Sequence, residues 1–259
     1  MEQKSLNSNM SRSVYRALSI LNTIGGTSKG ISEISKELSI SKGTIFSLMK
    51  TLEAMEFVKQ DPDTEKYMLG SNILRLASQQ ITNLDIVQIS KPFLQELSDE
   101  LGEIAHLGVR DGFSALYLVK TESQKVHRML KLYTNAGSFS PLHCTCMGKI
   151  VLASMTAEEI EEYFQGRELQ QYTPKTIIDK DKLFAEIKDV HQKGYAVNLG
   201  EYEEGVYSVA VPVKDTDNRI IAGINVVIPS ARMPVEKIPY YFNRLKQVAD
   251  TITMSLFPR

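Results

Sequence analysis

From residue 14 to residue 55, apolar side chains recur at steps of three and four. Val14, Ala17, Leu18, Leu21 and Ile24 describe an amphipathic helix that stops at the Gly25-Gly26 pair. Ile31, Ile34 and Leu38 repeat the pattern over a shorter helix. Ser39-Ile40-Ser41 then forms a tight connection, with the Ser41 hydroxyl placed to accept from the free N–H groups that open a third helix. That helix is predicted from Lys42 to Glu56, with Ile45, Leu48, Met49, Leu52 and Met55 on its apolar side. At about 100° per residue, Gly43, Ser47, Lys50 and Ala54 centre the opposite face. Lys42 and Phe46 flank that face on one side, Thr44 and Thr51 on the other.

Periodicity then changes from helical to alternating. Phe57-Val58-Lys59-Gln60, the turn Asp61-Pro62-Asp63-Thr64, and Lys66-Tyr67-Met68-Leu69 read as a β-hairpin. A short helix, a turn and a longer helix with small and cationic groups outward is the layout of a helix-turn-helix, whose second helix enters the major groove. Hydroxyls at Ser47 and Thr44 suit base edges or phosphates, and lysines neutralise backbone charge. The hairpin would be a wing, with Lys59 and Lys66 near flanking phosphates. A three-helix bundle with a merely solvated polar face is the plainer reading, and the wing argues against it.

The rest of the chain alternates helices with strands. Ile73, Leu74, Leu76, Ala77 and Ile81, then Ile86, Ile89, Phe93, Leu94, Leu97 and Leu101, predict two helices with a junction over Asp85 to Pro92. Residues 104–109 and 114–119 flank the turn Asp111-Gly112, and 126–133 form a further expected strand. Helical stretches over 147–164 and 180–193 precede strands at 195–197, 207–213 and 220–228, and a closing helix is expected from Val235 to Met254. Strands in hairpins with helices to one side predict an α+β fold on an antiparallel sheet.

Composition narrows the class. The chain has 259 residues, long enough for two cores, and its 42% apolar and 24% charged shares are those of a globular protein. No segment has the roughly 18 uncharged apolar residues a membrane helix needs, and MEQKSLNSNM lacks a signal-peptide core, so the cytoplasm is expected. The net charge of −1 is unevenly spread: residues 1–80 hold ten Lys and Arg against eight Asp and Glu, leaving −3 for the remainder. The sign fits an N-terminal half that meets a polyanion.

Enzymatic signatures are missing. There is no G-x-S-x-G, no G-x-G-x-x-G, and the lysine of Gly25-Gly26-Thr27-Ser28-Lys29-Gly30 precedes the last glycine, unlike a phosphate-binding loop. His143-Cys144-Thr145-Cys146 brings together only three candidate ligands whose side chains alternate in direction, so reduced, partly buried thiols are expected rather than a metal site. His106, His127 and His191 stand alone in sequence and read as structural or solvated. No cofactor is implied.

The segments SRSVYRALSIL, ISEISKELSISKGTIFSLMKTLEAMEFV and DPDTEKYMLG, followed by GEIAHLGVRDG, PLHCTCMGKIVLAS, YTPKTI, GYAVNLGEYEEGVYSVAVPV and INVVIPSAR, resemble in order and spacing the IclR family of bacterial transcription regulators. The resemblance runs over roughly residues 11–256. It implies a winged helix-turn-helix over 1–70, a linker helix over 71–85, and a GAF-like effector-binding and oligomerisation domain over 86–259. The DNA-binding set is then Arg12, Arg16, Ser41, Lys42, Gly43, Thr44, Phe46, Ser47, Lys50, Lys59 and Lys66. Carried over by position, the effector-binding set is Leu132, Ser140, Cys146, Met147, Asn198, Val206, Ser208, Asn225 and Val227. This chain departs from the family where acids often follow GYA-V, having Asn198-Leu199-Gly200, and where a serine-rich strand ends in Gly-Pro, having Asn225-Val226-Val227-Ile228-Pro229. The implied partners are double-stranded DNA with a near-palindromic operator, a small organic effector such as a carboxylate or an aromatic compound, and further copies of the chain in a homodimer or tetramer. Repression is the favoured sign, with activation left open. The rival classes are a cytosolic enzyme using the C-terminal cleft and a module whose helical head binds a protein.

Overall fold

The computed structural model describes residues 10–82, 84–125 and 134–258. The chain divides into two compact units, Met1–Asn83 and Leu84–Arg259.

The first unit opens with three helices, α1 (Arg12–Ile24), α2 (Ile31–Leu38) and α3 (Lys42–Ala54). Their shared core is Ile20, Ile24, Ile34, Ile45, Met49 and Leu52, closed by Val58 and Tyr67 of the hairpin β1 (Val58–Gln60) and β2 (Tyr67–Leu69). The α2–α3 connection works because Ser39 takes the left-handed conformation (φ 53°) and Ser41 caps α3, its Oγ accepting from the Thr44 N–H at 3.3 Å. The strands pair antiparallel, Lys59 opposite Met68. Lys29 adds a bridge to Tyr67 through reciprocal backbone hydrogen bonds of 3.0 and 2.9 Å, which fixes the hairpin to the loop before α2. A fourth helix, α4 (Ser71–Thr82), follows.

Several boundaries differ from the sequence expectation. Val14 and Leu18 lie on the outside of α1, and the buried stripe is carried by Ile20 and Ile24 with Ala17 and Leu21 beside them. The third helix ends at Ala54, not Glu56: Met55 is exposed and Glu56 turns left-handed (φ 59°) to launch the hairpin.

The second unit begins with α5 (Asp85–Leu101), so the expected junction over Asp85 to Pro92 is instead helix. Pro92 removes one helical hydrogen bond, yet α5 runs through it because Val87, Leu94 and Leu97 are buried. A six-stranded antiparallel sheet follows, in the order β5-β4-β3-β8-β7-β6. Its strands are β3 (Ile104–Asp111), β4 (Ser114–Thr121), β5 (Phe139–Ser140), β6 (Ala196–Leu199), β7 (Val206–Lys214) and β8 (Ile220–Pro229). The strand expected at 126–133 lies outside the described residues, and the two-residue β5 was not anticipated.

Helices α6 (Cys146–Leu152), α7 (Ala157–Phe164) and α8 (Lys180–Lys193) fall between β5 and β6. The expected helical run over 147–164 is thus broken, because Thr156 and Glu159 form a reciprocal capping box that starts α7 afresh. The final helix, α9 (Ile238–Leu256), starts later than Val235, after 3₁₀ turns at Ser230–Arg232 and Val235–Lys237. Alternation along the central strands gives the sheet two faces. His106, Gly108, Gly223 and Asn225 point to the side on which α6 packs, while Ala105 and Thr121 point toward α5.

Candidate DNA-reading face and effector cavity

Helix α3 sends its large apolar residues Ile45, Leu48, Met49 and Leu52 into the core of its unit or against it. Most of the other side stays in solvent. Ser41, Lys42, Gly43, Phe46, Ser47 and Lys50 are exposed, and Thr44 is half-buried with its hydroxyl 2.9 Å from that of Ser41. A methyl group added at Gly43 would meet nothing within 4 Å, so the small residue serves no packing need of the unit itself. The Lys50 ammonium lies 3.3 Å from Glu53 and 5.8 Å from the centre of the Phe46 ring.

On the hairpin, Lys59 is exposed and Lys66 half-buried; both neighbour a turn built by the Asp61 carboxylate, which accepts from the N–H groups of Asp63 (3.0 Å) and Thr64 (2.9 Å). Those backbone bonds hold the Asp61 carboxyl below its usual range. Arg12 is exposed at the start of α1 and Arg16 half-buried one turn later. All eleven residues of the DNA-binding expectation therefore reach the surface of one unit.

The second unit contains a cavity of about 270 Å³ over the α6 side of the sheet. Its wall includes Ser140, Cys146, Asn198, Val206, Ser208, Asn225 and Val227, seven of the nine residues of the effector-binding expectation. Cross-strand register explains the convergence: Asn198 faces Ser208, and Ser208 faces Val227, so one row of the sheet supplies three of them. Leu132 lies outside the described residues. Met147 is not on the wall. It is fully buried one row further along, against Gly108 and Gly223, which stand opposite each other on β3 and β8 and leave the room its thioether fills.

His106, Tyr117, Thr134, Ser138, Phe139, Thr145, Tyr202 and Glu203 complete the lining, and the sequence reading missed all eight. The available signal was the period-two alternation that sets His106 on the same face as Gly108.

The polar groups of this wall hold one another in place. His106 Nδ1 lies 3.1 Å from Asn225 Oδ1, and His106 Nε2 lies 3.0 Å from the Thr134 hydroxyl. The Asn225 amide nitrogen donates to Cys146 Sγ at 3.4 Å. Because an amide oxygen can only accept, Nδ1 carries the proton and Nε2 accepts from Thr134. Burial pushes the His106 pKa down to about 4, so the ring stays neutral near pH 7. Burial also raises the Tyr117 hydroxyl, whose ring lies 4.7 Å from that of His106, and the Cys146 thiol.

The cavity rim is anchored from behind. Lys149, on α6, has a side chain only 1% exposed and donates to Glu201 (2.7 Å), Glu186 (3.0 Å) and the Val197 carbonyl (3.0 Å). The Thr176 hydroxyl donates to the Glu201 carbonyl at 2.6 Å, and that of Thr173 to the Gly200 carbonyl at 2.7 Å. The YTPKTI segment is thus a clamp on the loop that brings Tyr202 and Glu203 to the cavity. Both cysteines are buried and unbridged; burial pushes Cys144 up to about 12. Among the described residues no three His, Cys, Asp or Glu side chains gather as a metal site.

A winged helix-turn-helix with its second helix free on one side, followed in the same chain by an α+β unit holding an internal cavity, defines a DNA-binding transcriptional regulator. Comparison with known proteins agrees. Residues 13–62 match the IclR helix-turn-helix domain, and residues 78–254 match the C-terminal domain of the bacterial transcriptional regulator IclR. The chain belongs to the IclR family of bacterial transcriptional regulators. It is 31% identical over 247 residues to the HTH-type transcriptional regulator XynR of Escherichia coli (strain K12), covering 95% of this chain and 97% of XynR. The crystal structure of Thermotoga maritima IclR is 28% identical with a TM-score of 0.76, over 94% of this chain and 98% of that one. An IclR homologue from Microbacterium hydrocarbonoxydans, crystallised with 4-hydroxybenzoate, shares the fold at 20% identity and a TM-score of 0.81, over 94% and 98% of the two chains.

Proposed function

We propose that this protein is a repressor that binds a near-palindromic operator as a homodimer and changes its operator affinity when a small aromatic or carboxylate effector enters the cavity of the second unit. The observation that carries the reading is the outward face of α3. Its small, hydroxyl and cationic groups stay in solvent while the opposite side of the helix is buried. Eight of the eleven residues of the DNA-binding set are exposed, and three are half-buried.

A second copy is supported by apolar surface left open on the same unit. Val14 and Leu18 lie four residues apart on α1, Met10 just precedes that helix, and Leu74 and Leu76 project from α4, all exposed. Exposed apolar residues that share a helix face, as Val14 and Leu18 do, mark a surface for a partner. Two heads then read half-sites about 34 Å apart or a multiple of that. Pairing of dimers into a tetramer is compatible with the same reading.

The effector class follows from size and lining. An engineered apolar cavity of about 150 Å³ holds benzene. The 270 Å³ here suits one substituted ring, with Ser140, Asn198 and Ser208 to orient its polar groups. The related protein crystallised with 4-hydroxybenzoate binds a ligand of this kind. Differential binding to two arrangements of the heads worth about 1–3 kcal/mol changes DNA affinity roughly 5- to 150-fold. Regulation rather than catalysis is supported by the state of the cavity's own groups: His106 is committed on both ring nitrogens and Cys146 is held as a thiol. The working compartment is the cytoplasm, where DNA is reached. Among the described residues no helix is long and apolar enough to cross a membrane.

The test is selection of bound fragments from the organism's own DNA, with and without candidate aromatic acids. A recurrent two-fold sequence whose recovery changes with one compound is the expected outcome. Recovery proportional to fragment abundance, unaffected by every compound, would remove the assignment.

A further inference from the structure

Of the large apolar residues on α3, Phe46 alone stays out of the core. It is 49% exposed, in the second turn of the helix, beside Gly43 and Ser47 on the face assigned to DNA. Neither neighbour covers it: Gly43 has no side chain, and a methyl group there would still meet nothing within 4 Å. The Lys50 ammonium, paired with Glu53 at 3.3 Å, lies over the ring at 5.8 Å from its centre, near the outer limit of cation–π contact, and still leaves the ring 49% exposed. An aromatic ring is thus held out on a helix face that is otherwise polar or small.

We infer that Phe46 is a specificity-determining residue that packs against the C5-methyl group of a thymine in each operator half-site. The inference rests on the DNA-reading assignment of α3 and deepens it. Phenylalanine has no donor or acceptor, so it cannot read the hydrogen-bonding pattern of a base edge. The one apolar feature the major groove offers is the pyrimidine C5-methyl, present on thymine and absent from unmethylated cytosine. Residues in the N-terminal half of a recognition helix are those that reach base edges, and Phe46 is the fifth residue of α3. The rise of about 1.5 Å per residue puts it some 6 Å from Lys42 and from Lys50 along the axis, with a lysine on either side to hold phosphates. The same methyl on 5-methylcytosine is chemically equivalent, and thymine is the source to which the proposal commits.

The experiment uses the full chain and an operator duplex recovered by selection. Each thymine is replaced singly by deoxyuridine, which removes the methyl and nothing else, and each cytosine by 5-methylcytosine. One thymine per half-site is expected to lose about fourfold in Kd on replacement, the worth of burying one methyl group. Phe46→Ala should bind the thymine and deoxyuridine duplexes equally, and Phe46→Leu should keep part of the difference. Thermal melting of each variant monitored by circular dichroism confirms that the head remains folded, as the exposure of Phe46 leads one to expect. Four results overturn the inference. Wild-type protein binding every deoxyuridine duplex as tightly as the parent is one, and Phe46→Ala keeping the full fourfold penalty is another; either leaves DNA reading by α3 intact. Failure to select any operator removes both. A fourfold gain at a methylated cytosine, with no thymine dependence, moves the contact to the other methylated base and also counts against the proposal.

Discussion

The Lys149 ammonium donates to the Glu201 carboxylate at 2.7 Å with only 1% of the lysine side chain exposed, so α6 is pinned to the loop that carries Tyr202 and Glu203 to the cavity. Among the described residues the second carboxylate oxygen of Glu201 is buried without a partner, and burial raises the Glu201 pKa, so Lys149 is the main influence that keeps it ionised.

Removing one partner of a buried pair strands the other. Lys149→Met should therefore cost about 3–5 kcal/mol in urea unfolding, while Lys149→Met with Glu201→Leu should recover much of the loss, since well-packed apolar replacements of buried pairs are often near neutral. Equal midpoints for the wild type and the single variant would show that Glu201 takes up a proton or reaches solvent once Lys149 is gone.

His106 sets a pH dependence of stability. Its folded pKa of about 4 lies below the ordinary value of 6.5, so between those values the unfolded chain binds more protons. Stability from this group is complete above about pH 6.5 and is lost as the pH falls toward 4, on the order of 3 kcal/mol over the whole window. Urea midpoints at pH 7 and pH 5 measure it. His106→Asn should flatten that interval relative to the wild type. Parallel curves for the two proteins would place the titration elsewhere.

His106 also illustrates where sequence reading runs out. It stands alone in sequence and was set aside, because its partners Asn225 and Thr134 are 119 and 28 residues away. The helices of the first unit were readable because their core contacts repeat within one turn, and the wing because Asp61-Pro62-Asp63-Thr64 is local turn chemistry. Even there the period could not choose between two apolar stripes on α1, and Val14 and Leu18 went to solvent. Seven cavity residues followed from positional resemblance, since a shared sheet register carries side chains to the same place. Met147 did not, for the slot that takes it is made by glycines from two strands far away in sequence.

That slot supplies a prediction of its own. A methyl group at residue 223 would lie 2.7 Å from Met147 Sδ and 3.1 Å from Ile150 Cγ2. Met147 is fully buried and has nowhere to retreat. Gly223→Ala should destabilise by about 1–3 kcal/mol. Adding Met147→Ala should cost less in that background than in the wild type, because the lost volume relieves the clash. A double-mutant cycle by chemical denaturation reads the coupling; strict additivity would mean that the sheet itself shifts to make room.

Gly43 and Lys50 separate folding from DNA binding on α3. Gly43→Ala meets nothing within its own unit, and alanine is the better helix former, so the thermal midpoint should hold or rise. The same methyl group stands where the helix would approach the groove, so operator affinity should fall. Lys50→Ala removes an exposed pair with Glu53 and a long cation–ring contact with Phe46, and should leave stability nearly unchanged. If Lys50 contacts a phosphate, its loss should weaken binding across sequences and lower the slope of log K against log salt by about 1. Fluorescence anisotropy at several salt concentrations, with melting curves alongside, measures both variants. Unaltered affinity and slope in two stable variants would mean that this face of α3 does not meet DNA.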